Sequence, residues 1–249
     1  MDSRQSLILA MDTATACSSV ALTCGTRQDG RVSATLSLTG NVTHSRRLFS
    51  AIDYLMKEAG VNWAAIAGIA VSLGPGSFTG LRIGLATAKG LAAAAGKLLF
   101  GVSTLDSLAA KCSTEKLVCA VLDARKKEVY AALYRCNGAG LTTRVGEMTV
   151  QAPRKLAAGI NEPVVMIGDG AVVYASLFQE VLGDMVTFAP SQLHEPSAAS
   201  LGMLAGEMLL AGQSLDVAGA TPMYIRSSDA ELNLREAKAK LSKRNSASQ

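Results

Sequence analysis

Apolar and polar positions in the first third of the chain follow patterns that predict three strands, a helix and a fourth strand. The three strands of this opening meander are predicted over 7–11, 18–24 and 31–38, with turns between them. Apolar residues spaced three and four apart then predict an amphipathic helix over 44–59. A short apolar run over 66–73 predicts a buried strand. Because strands and helices are interleaved in this way, the pattern favours an α/β fold.

A glycine-rich turn, Gly74-Pro75-Gly76, joins the fourth strand to a second predicted helix over 78–95. Ser77 or Thr79 is a suitable N-cap for this helix. The turn fits either phosphate binding or a plain helix start, because backbone N–H groups converge there in both cases. Small residues recur at every fourth position and share one helix face: Gly80, Gly84, Ala88 and Ala92. Since glycine costs about 1 kcal/mol relative to alanine in a helix, this face predicts a close contact, either with the chain's own sheet or with another protein.

The same order of elements begins again after a short strand predicted over 97–102. The second set consists of strands over 117–122, 128–134, 141–150 and 164–167, a helix over 172–182, a strand over 186–188 and a helix over 195–211. Asp12 and Asp123 occupy matching places, each at the end of the first strand of a meander. We interpret this as an internal duplication that gives two lobes, residues 1–104 and 105–226, of which the second is degenerate and its last segment is a candidate to return to the first lobe. A charged tail over 227–249 follows, and its end is expected to be disordered.

Composition limits the classes of function. The net charge is +4, and without the tail the balance falls to 19 basic against 17 acidic residues, so tight RNA binding by the chain alone is not expected. No uninterrupted apolar stretch is long enough to span a membrane. The chain has five cysteines and no C-x-x-C pair, which favours a reducing, cytoplasmic location.

A duplicated three-stranded meander with alternating helices and strands is the layout of the actin, sugar-kinase and Hsp70 ATPase superfamily, whose fold is ribonuclease H-like. Within it the chain resembles the bacterial TsaB (YeaZ) family over residues 6 to 226 or so. The motifs that carry the resemblance are Leu9-Ala10-Met11-Asp12-Thr13-Ala14-Thr15, His44-Ser45-Arg46-Arg47-Leu48 and, most specifically, Gly74-Pro75-Gly76-Ser77-Phe78-Thr79-Gly80-Leu81-Arg82-Ile83-Gly84. The resemblance implies two lobes, each with a mixed sheet flanked by helices.

The resemblance also implies a scaffold and not an enzyme. TsaB proteins are partners of a TsaD-type subunit that transfers a threonylcarbamoyl group to the adenosine beside the anticodon of tRNA, in a pathway that includes a TsaE-type ATPase. The catalytic relatives hold a metal with two histidines four apart on a helix, whereas the two histidines here, His44 and His194, are far apart. We therefore expect no catalytic residue, no metal site and no cofactor of its own. ATP or ADP and Mg²⁺ would enter with the partners, tRNA only through the complex, and the free chain would form a homodimer.

In the TsaB family the two helices of the first lobe meet the equivalent pair of TsaD, or of a second TsaB. The resemblance therefore places a partner interface on the helices over 44–59 and 78–95, with Phe49 and Leu55 turned partly outward. The residues expected to form this interface are His44, Leu48, Phe49, Ile52, Leu55, Phe78, Gly80, Leu81, Gly84 and Ala88.

An enzymatic alternative comes from the two matching aspartates. In ATPases of this superfamily, such acids help to hold Mg²⁺ through water, so a small ATPase or kinase could use Asp12 and Asp123. A weak nucleotide site would then comprise Asp12, Asp123, Gly168, Asp169 and Gly170. Each carboxylate could equally cap its own turn by accepting hydrogen bonds from nearby N–H groups.

Overall fold

The computed structural model describes residues 6–40 and 44–225, and the side chains of the first helix from residue 47 onward. Five strands form the first sheet in the order β3-β2-β1-β4-β5. Their bounds are β1 Leu7–Asp12, β2 Cys17–Cys24, β3 Arg31–Thr39, β4 Ile66–Gly74 and β5 Leu98–Ser103. The first three strands pair antiparallel, and β4 and β5 are added parallel to β1. The predicted opening meander is therefore confirmed.

The second sheet repeats the order of the first. Its strands are β6 Leu117–Arg125, β7 Glu128–Cys136, β8 Thr142–Gln151, β9 Val164–Ile167 and β10 Val186–Phe188. They lie in the order β10-β9-β6-β7-β8, so each strand occupies the place of the strand five numbers earlier. This match confirms the duplicated actin-like fold with two mixed sheets.

Seven helices flank the sheets in the described residues. They are α1 His44–Glu58, α2 Phe78–Ala95, α3 Thr104–Ala109, α4 Pro153–Ala158, α5 Asp169–Val173, α6 Ala175–Leu182 and α7 Ala198–Leu210. The predictions missed α3 and α4, because helices of 6 residues are too short to reveal a period. The helix predicted over 172–182 is two helices, since Tyr174 leaves the helical conformation at φ −108° and ψ 21°.

Helices α1 and α2 cover one face of the first sheet, and α7 covers the other. Leu48, Ile52 and Leu55 of α1 join the core between these two helices and the sheet. The expectation that Leu55 turns partly outward is wrong, because only 4% of its surface is exposed. Leu201 of α7 packs against the opposite face of the same sheet, beside Ile8.

The chain exchanges elements between the two sheets. Helix α3 follows the last strand of the first sheet but packs on the second through Leu105 and Leu108. The segment after α7 returns to the first sheet, where Leu215 donates to the Leu99 carbonyl at 2.8 Å and Met223 donates to the Leu73 carbonyl at 2.7 Å. The predicted lobe limits at residues 104 and 105 are not tested by these contacts and stay a prediction.

The tail predicted over 227–249 lies outside the described residues, as does the side chain of His44. Among the helices that the structure does describe, none combines the length and the apolar character needed to cross a lipid bilayer.

Candidate functional sites

The glycine-rich turn is held by the chain itself. Ser77 caps α2 as predicted, since its side-chain oxygen accepts from the Gly80 N–H at 3.3 Å. The Ser77 N–H donates to the Ala14 carbonyl at 2.7 Å, in the loop between β1 and β2. A backbone donor that a phosphate would need is thus already used, so the geometry fits a helix start.

The small-residue face of α2 packs inward on the chain's own sheet. Gly80, Gly84, Ala88 and Ala92 are all buried. The Thr13 hydroxyl donates to the Gly80 carbonyl at 2.7 Å. A Cβ atom on Gly80 would overlap the Thr13 carbonyl, and one on Gly84 would overlap the Thr13 hydroxyl. The close contact that the glycines predict therefore exists, and its partner is the end of β1.

This packing corrects part of the expected interface. Seven of the ten residues are buried inside this chain: Leu48, Ile52, Leu55, Gly80, Leu81, Gly84 and Ala88. Because a second protein reaches only exposed atoms, these seven support the helix pair from within and do not form a docking surface. Phe49 is 57% exposed and Phe78 is partly exposed, so these two remain interface candidates.

The outward faces of α1 and α2 carry a different set of residues. Phe49 and Tyr54 of α1 are each 57% exposed, which is unusual for large aromatic side chains. Along α2 the exposed positions are Thr79, Arg82, Ala86, Gly90, Ala93 and Ala94. Nothing lies within 4 Å of the place where a Cβ on Gly90 would be. Helix α1 thus has two exposed aromatic side chains, and the outer surface of α2 consists largely of small residues that another helix could approach closely.

Three residues form a stacked cluster at the start of α2. The rings of Phe78 and Tyr224 stack with centroids 5.1 Å apart and an interplanar angle of 29°. The Arg82 guanidinium lies 3.8 Å from the centroid of the Phe78 ring, and its Nε donates to the Tyr224 hydroxyl at 3.1 Å. No sequence pattern predicts this cluster, because Arg82 and Tyr224 are 142 positions apart.

Asp12 is buried at the end of β1, with 1% of its surface exposed. Its Oδ1 accepts from the Ala14 N–H at 2.9 Å, while Oδ2 has no hydrogen-bond partner among the described residues. Burial raises the pKa of this carboxyl from 3.8 to about 6, against the lowering effects of the Ala14 N–H and the nearby Ser72 hydroxyl. The capping role that the sequence leaves open for Asp12 is thus present.

The other predicted nucleotide-site residues come together around Asp123. Its N–H donates to Asp169 Oδ1 at 3.0 Å, and its own Oδ1 accepts from the Arg125 N–H at 2.9 Å. A Cβ on Gly170 would overlap the backbone of Asp123 and the residue before it. The Gly168 backbone contacts His194 Nδ1 at 3.1 Å. The structure therefore brings Asp123 of β6 together with Gly168, Asp169 and Gly170, which follow β9 and begin α5, whereas Asp12 ends β1 in the first sheet.

Sequence reasoning missed Glu195, which connects the two halves of the chain, and Lys111, which holds the segment around Glu195 within the second half. Glu195 Oε2 accepts from the Thr15 hydroxyl at 3.1 Å, across 180 positions of sequence. The Lys111 ammonium donates to the carbonyls of Leu193 and Glu195 at 2.6 and 2.5 Å. Burial lowers the pKa of Lys111.

Within residues 6–40 and 44–225, no group of three or more His, Cys, Asp or Glu side chains is arranged to hold a metal ion.

The sequence was compared with models of known protein families. Residues 40–234 match a family model described as TsaD, tRNA N6-adenosine threonylcarbamoyltransferase. Together with the two sheets of identical strand order, this match defines a protein of duplicated actin-like fold that is a member of the family the TsaD model describes.

Individual relatives show more closely which family the chain belongs to. The tRNA threonylcarbamoyladenosine biosynthesis protein TsaB of Escherichia coli K12 is 31% identical over 226 residues, which covers 88% of this chain and 94% of that protein. The Bacillus subtilis protein of the same name is 29% identical over 191 residues, or 76% of this chain and 82% of the relative. A solved structure described as YeaZ from Pseudomonas aeruginosa superposes with a TM-score of 0.71 at 29% identity, covering 88% of this chain and 100% of that one. The chain belongs to the TsaB (YeaZ) family.

Proposed function

We propose that this protein acts in the biosynthesis of threonylcarbamoyladenosine in tRNA, as a non-catalytic scaffold that binds and stabilises a TsaD-type threonylcarbamoyltransferase. Two similarities support the proposal. Relatives that align with most of the chain are named for this biosynthesis, and the chain itself matches the family model of the transferase. A scaffold that shares the fold of its catalytic partner can present a helix pair to the equivalent helix pair, in a pseudo-symmetric contact.

The observation that carries the proposal is the outward face of α1 and α2. Phe49 and Tyr54 of α1 are exposed, and the outer surface of α2 contains alanine and an open Gly90. Exposed aromatic side chains are typical of protein interfaces. A glycine in mid-helix with nothing against it costs about 1 kcal/mol relative to alanine, and a closely packed partner helix would offset that cost.

The interior polar groups support the non-catalytic part of the proposal. Asp12 is buried, Asp123 and Asp169 bind backbone N–H groups, and Lys111 is occupied by two backbone carbonyls. These groups serve the chain's own fold. ATP or ADP and Mg²⁺ would then belong to TsaD-type and TsaE-type partners, tRNA would be reached only through the complex, and a homodimer would use the same helix face. The complex would act in the cytoplasm.

Co-elution with the cognate TsaD-type subunit tests this function. The informative variant is Gly90→Arg, which places a long charged side chain on the outward face of α2 and leaves the core untouched. Ser176→Arg is the matched control, because residue 176 is also exposed on a helix, α6, but in the other half of the chain. Circular dichroism verifies that both variants remain folded.

We expect the wild type and Ser176→Arg to form a stoichiometric complex and Gly90→Arg to elute alone. A folded Gly90→Arg that still binds would show that the helix face is not the docking surface. If the wild type does not bind, the scaffold function is wrong. Mg²⁺-dependent ATP turnover that is lost in Asp12→Ala would then favour a small ATPase or kinase.

A further inference from the structure

Two cysteines meet at one end of the second sheet. Cys136 ends β7, and Cys112 lies in the connection between α3 and β6. The Cys136 thiol donates to the Cys112 carbonyl at 3.6 Å, and its Sγ accepts from the Thr114 N–H at 3.5 Å. Since a carbonyl oxygen lies about 2.4 Å from the Cα of its own residue, Cys136 Sγ is within about 6 Å of the Cys112 Cα. In a disulfide that distance is about 4 Å, given an S–S bond of about 2 Å, so joining the two sulfur atoms requires only a small local shift.

The two thiols differ in their access to solvent. All five cysteines of the chain lie in the described residues, where Cys136 is partly exposed and the others are buried. A small oxidant therefore reaches Cys136 first. Burial and, secondly, the charge of a Cys136 thiolate raise the pKa of Cys112 to about 11, against the lowering effect of Lys111. Oxidation of Cys136 to a neutral sulfenic acid removes the second of these causes, so Cys112 becomes the better nucleophile once Cys136 has reacted.

We propose that Cys112 and Cys136 form a redox-active pair, which hydrogen peroxide oxidises to an intramolecular disulfide. The Cys136 sulfur first attacks one peroxide oxygen, so that an S–O bond forms, the O–O bond breaks, and the leaving hydroxide takes the thiol proton to become water. The Cys112 sulfur then attacks the Cys136 sulfur, so that the S–S bond forms, the S–O bond breaks, and the second hydroxide leaves as water with the Cys112 proton. The two thiols lose two electrons in total, and one peroxide is reduced to two waters. In a reducing compartment such a bridge is transient, because dithiols reverse it.

The pair adjoins the segments through which the second half of the chain contacts the first. Cys136 lies opposite Thr142 across β7 and β8, and the Thr142 carbonyl accepts from Arg27 at 2.8 Å. Cys112 directly follows Lys111, whose ammonium holds the segment before α7. The disulfide therefore fixes the turn before β6 to the end of β7, and it restricts the unfolded chain, which stabilises the folded one. This modification goes beyond the scaffold function and does not depend on it.

The test exposes the full chain to hydrogen peroxide, blocks the remaining thiols under denaturing conditions and identifies linked peptides by mass spectrometry. We expect the wild type to lose the thiols of Cys112 and Cys136 together with the mass of two hydrogen atoms, and dithiothreitol to restore both thiols. Cys112→Ser should stop at the sulfenic acid of Cys136, which dimedone traps, and Cys136→Ser should form no bridge. Cys17→Ala is the matched control, because it removes a buried cysteine outside the pair and should form the bridge as the wild type does. The oxidised wild type should unfold about 5 °C above the reduced protein.

The linked peptide of the wild type decides the question even if a serine variant fails to fold. A bridge to any other cysteine, or a bridge between two chains in non-reducing electrophoresis, would overturn the pair. A wild type that accumulates the sulfenic acid of Cys136 without a bridge would show that Cys112 does not reach it, and would overturn the pair as well. An oxidised protein no more stable than the reduced one would overturn the stabilising effect of the bridge.

Discussion

Thr13 and Gly80 lie in direct contact, and through them the end of β1 fixes the first turn of α2. The Thr13 hydroxyl donates to the Gly80 carbonyl at 2.7 Å, and the Thr13 backbone fills the space where a Cβ on residue 80 would lie. The glycine is thus required by a close approach of two backbones. The same contact sets which side of α2 is turned outward.

Two glycines of α2 should therefore respond in opposite ways to the same substitution. We expect Gly80→Ala to lower the free energy of unfolding by about 2 kcal/mol, because the added methyl group meets backbone atoms that cannot move aside. Gly90→Ala should raise it by about 1 kcal/mol, since alanine is the better helix former and nothing lies near that position. Urea unfolding of the two variants measures both effects. Equal effects of the two changes would contradict the assignment of inner and outer faces.

Asp12 should make the stability depend on pH. Its pKa is about 6 in the folded protein and 3.8 in the unfolded chain. Between about pH 3.8 and pH 6, the folded protein therefore holds a proton that the unfolded chain has lost. The free energy of unfolding therefore falls as the pH rises through this range. Asp12→Asn removes this penalty, keeps an acceptor for the Ala14 N–H and adds a donor near Ser72. We expect it to be more stable than the wild type by about 3 kcal/mol at about pH 8, and by little at about pH 3.5.

Denaturation of both proteins across this range provides the measurement, and Asp53→Asn is the control. Asp53 is exposed and paired with Lys57, so its loss should change the free energy of unfolding by less than about 0.5 kcal/mol. A gain for Asp12→Asn that is the same at both ends of the range would mean that burial of the charge is not its cause.

Much of the fold could be predicted from the sequence because its elements are long and periodic. The bounds of α2 agree with the prediction at both ends, where Ser77 and Gly96 cap the helix. Short elements could not be found in this way. Helix α4 has 6 residues, and it begins at Pro153 without a side-chain cap. A period of 3.6 residues needs more turns than that to be seen.

The outward face of α1 and α2 was only partly predictable, because contacts between residues far apart in the sequence decide which side of α2 is buried. Glycines at four-residue spacing reveal that one face of α2 is closely packed, but the sequence does not say by what. The three-dimensional contact with Thr13 decides it. Arg82 is hydrogen-bonded to Tyr224, and Thr15 to Glu195, across 142 and 180 positions of sequence. Such pairs have no local pattern and become visible only when the chain is folded.

Arg27 and Glu207 should stabilise the contact between the β2–β3 turn and α7. Arg27 Nε and Nη2 donate to the two carboxylate oxygens at 2.7 and 2.9 Å, and Nη1 donates to the Thr142 carbonyl at 2.8 Å. We expect Arg27→Met to lower the free energy of unfolding by about 2 kcal/mol, because the partly buried Glu207 carboxylate loses its ion pair and keeps only the hydrogen bond from the N–H of residue 27 at 3.3 Å. The double variant with Glu207→Met should cost less than the sum of the single changes, since no charge is then left unpaired.

The exposed pair of Arg135 and Glu162 provides the comparison. Their side chains are 49% and 43% exposed, against 15% and 32% for Arg27 and Glu207. Arg135→Met should therefore cost less than about 1 kcal/mol. Thermal unfolding of the two single variants ranks them directly, and a larger loss for Arg135→Met would reverse the expected dependence on burial.

The hairpin between β6 and β7 should be stabilised by a glycine. Lys126 and Lys127 form its two-residue turn between Arg125 and Glu128, with φ values of +53° and +62°. This left-handed conformation suits a type I′ turn but costs a side chain other than glycine about 1 kcal/mol. We expect Lys127→Gly to exceed Lys127→Ala in free energy of unfolding by about 1 kcal/mol, because both lose the lysine side chain and only glycine relieves the backbone. Urea unfolding distinguishes them, and an alanine variant as stable as the glycine variant would show that the turn is not strained.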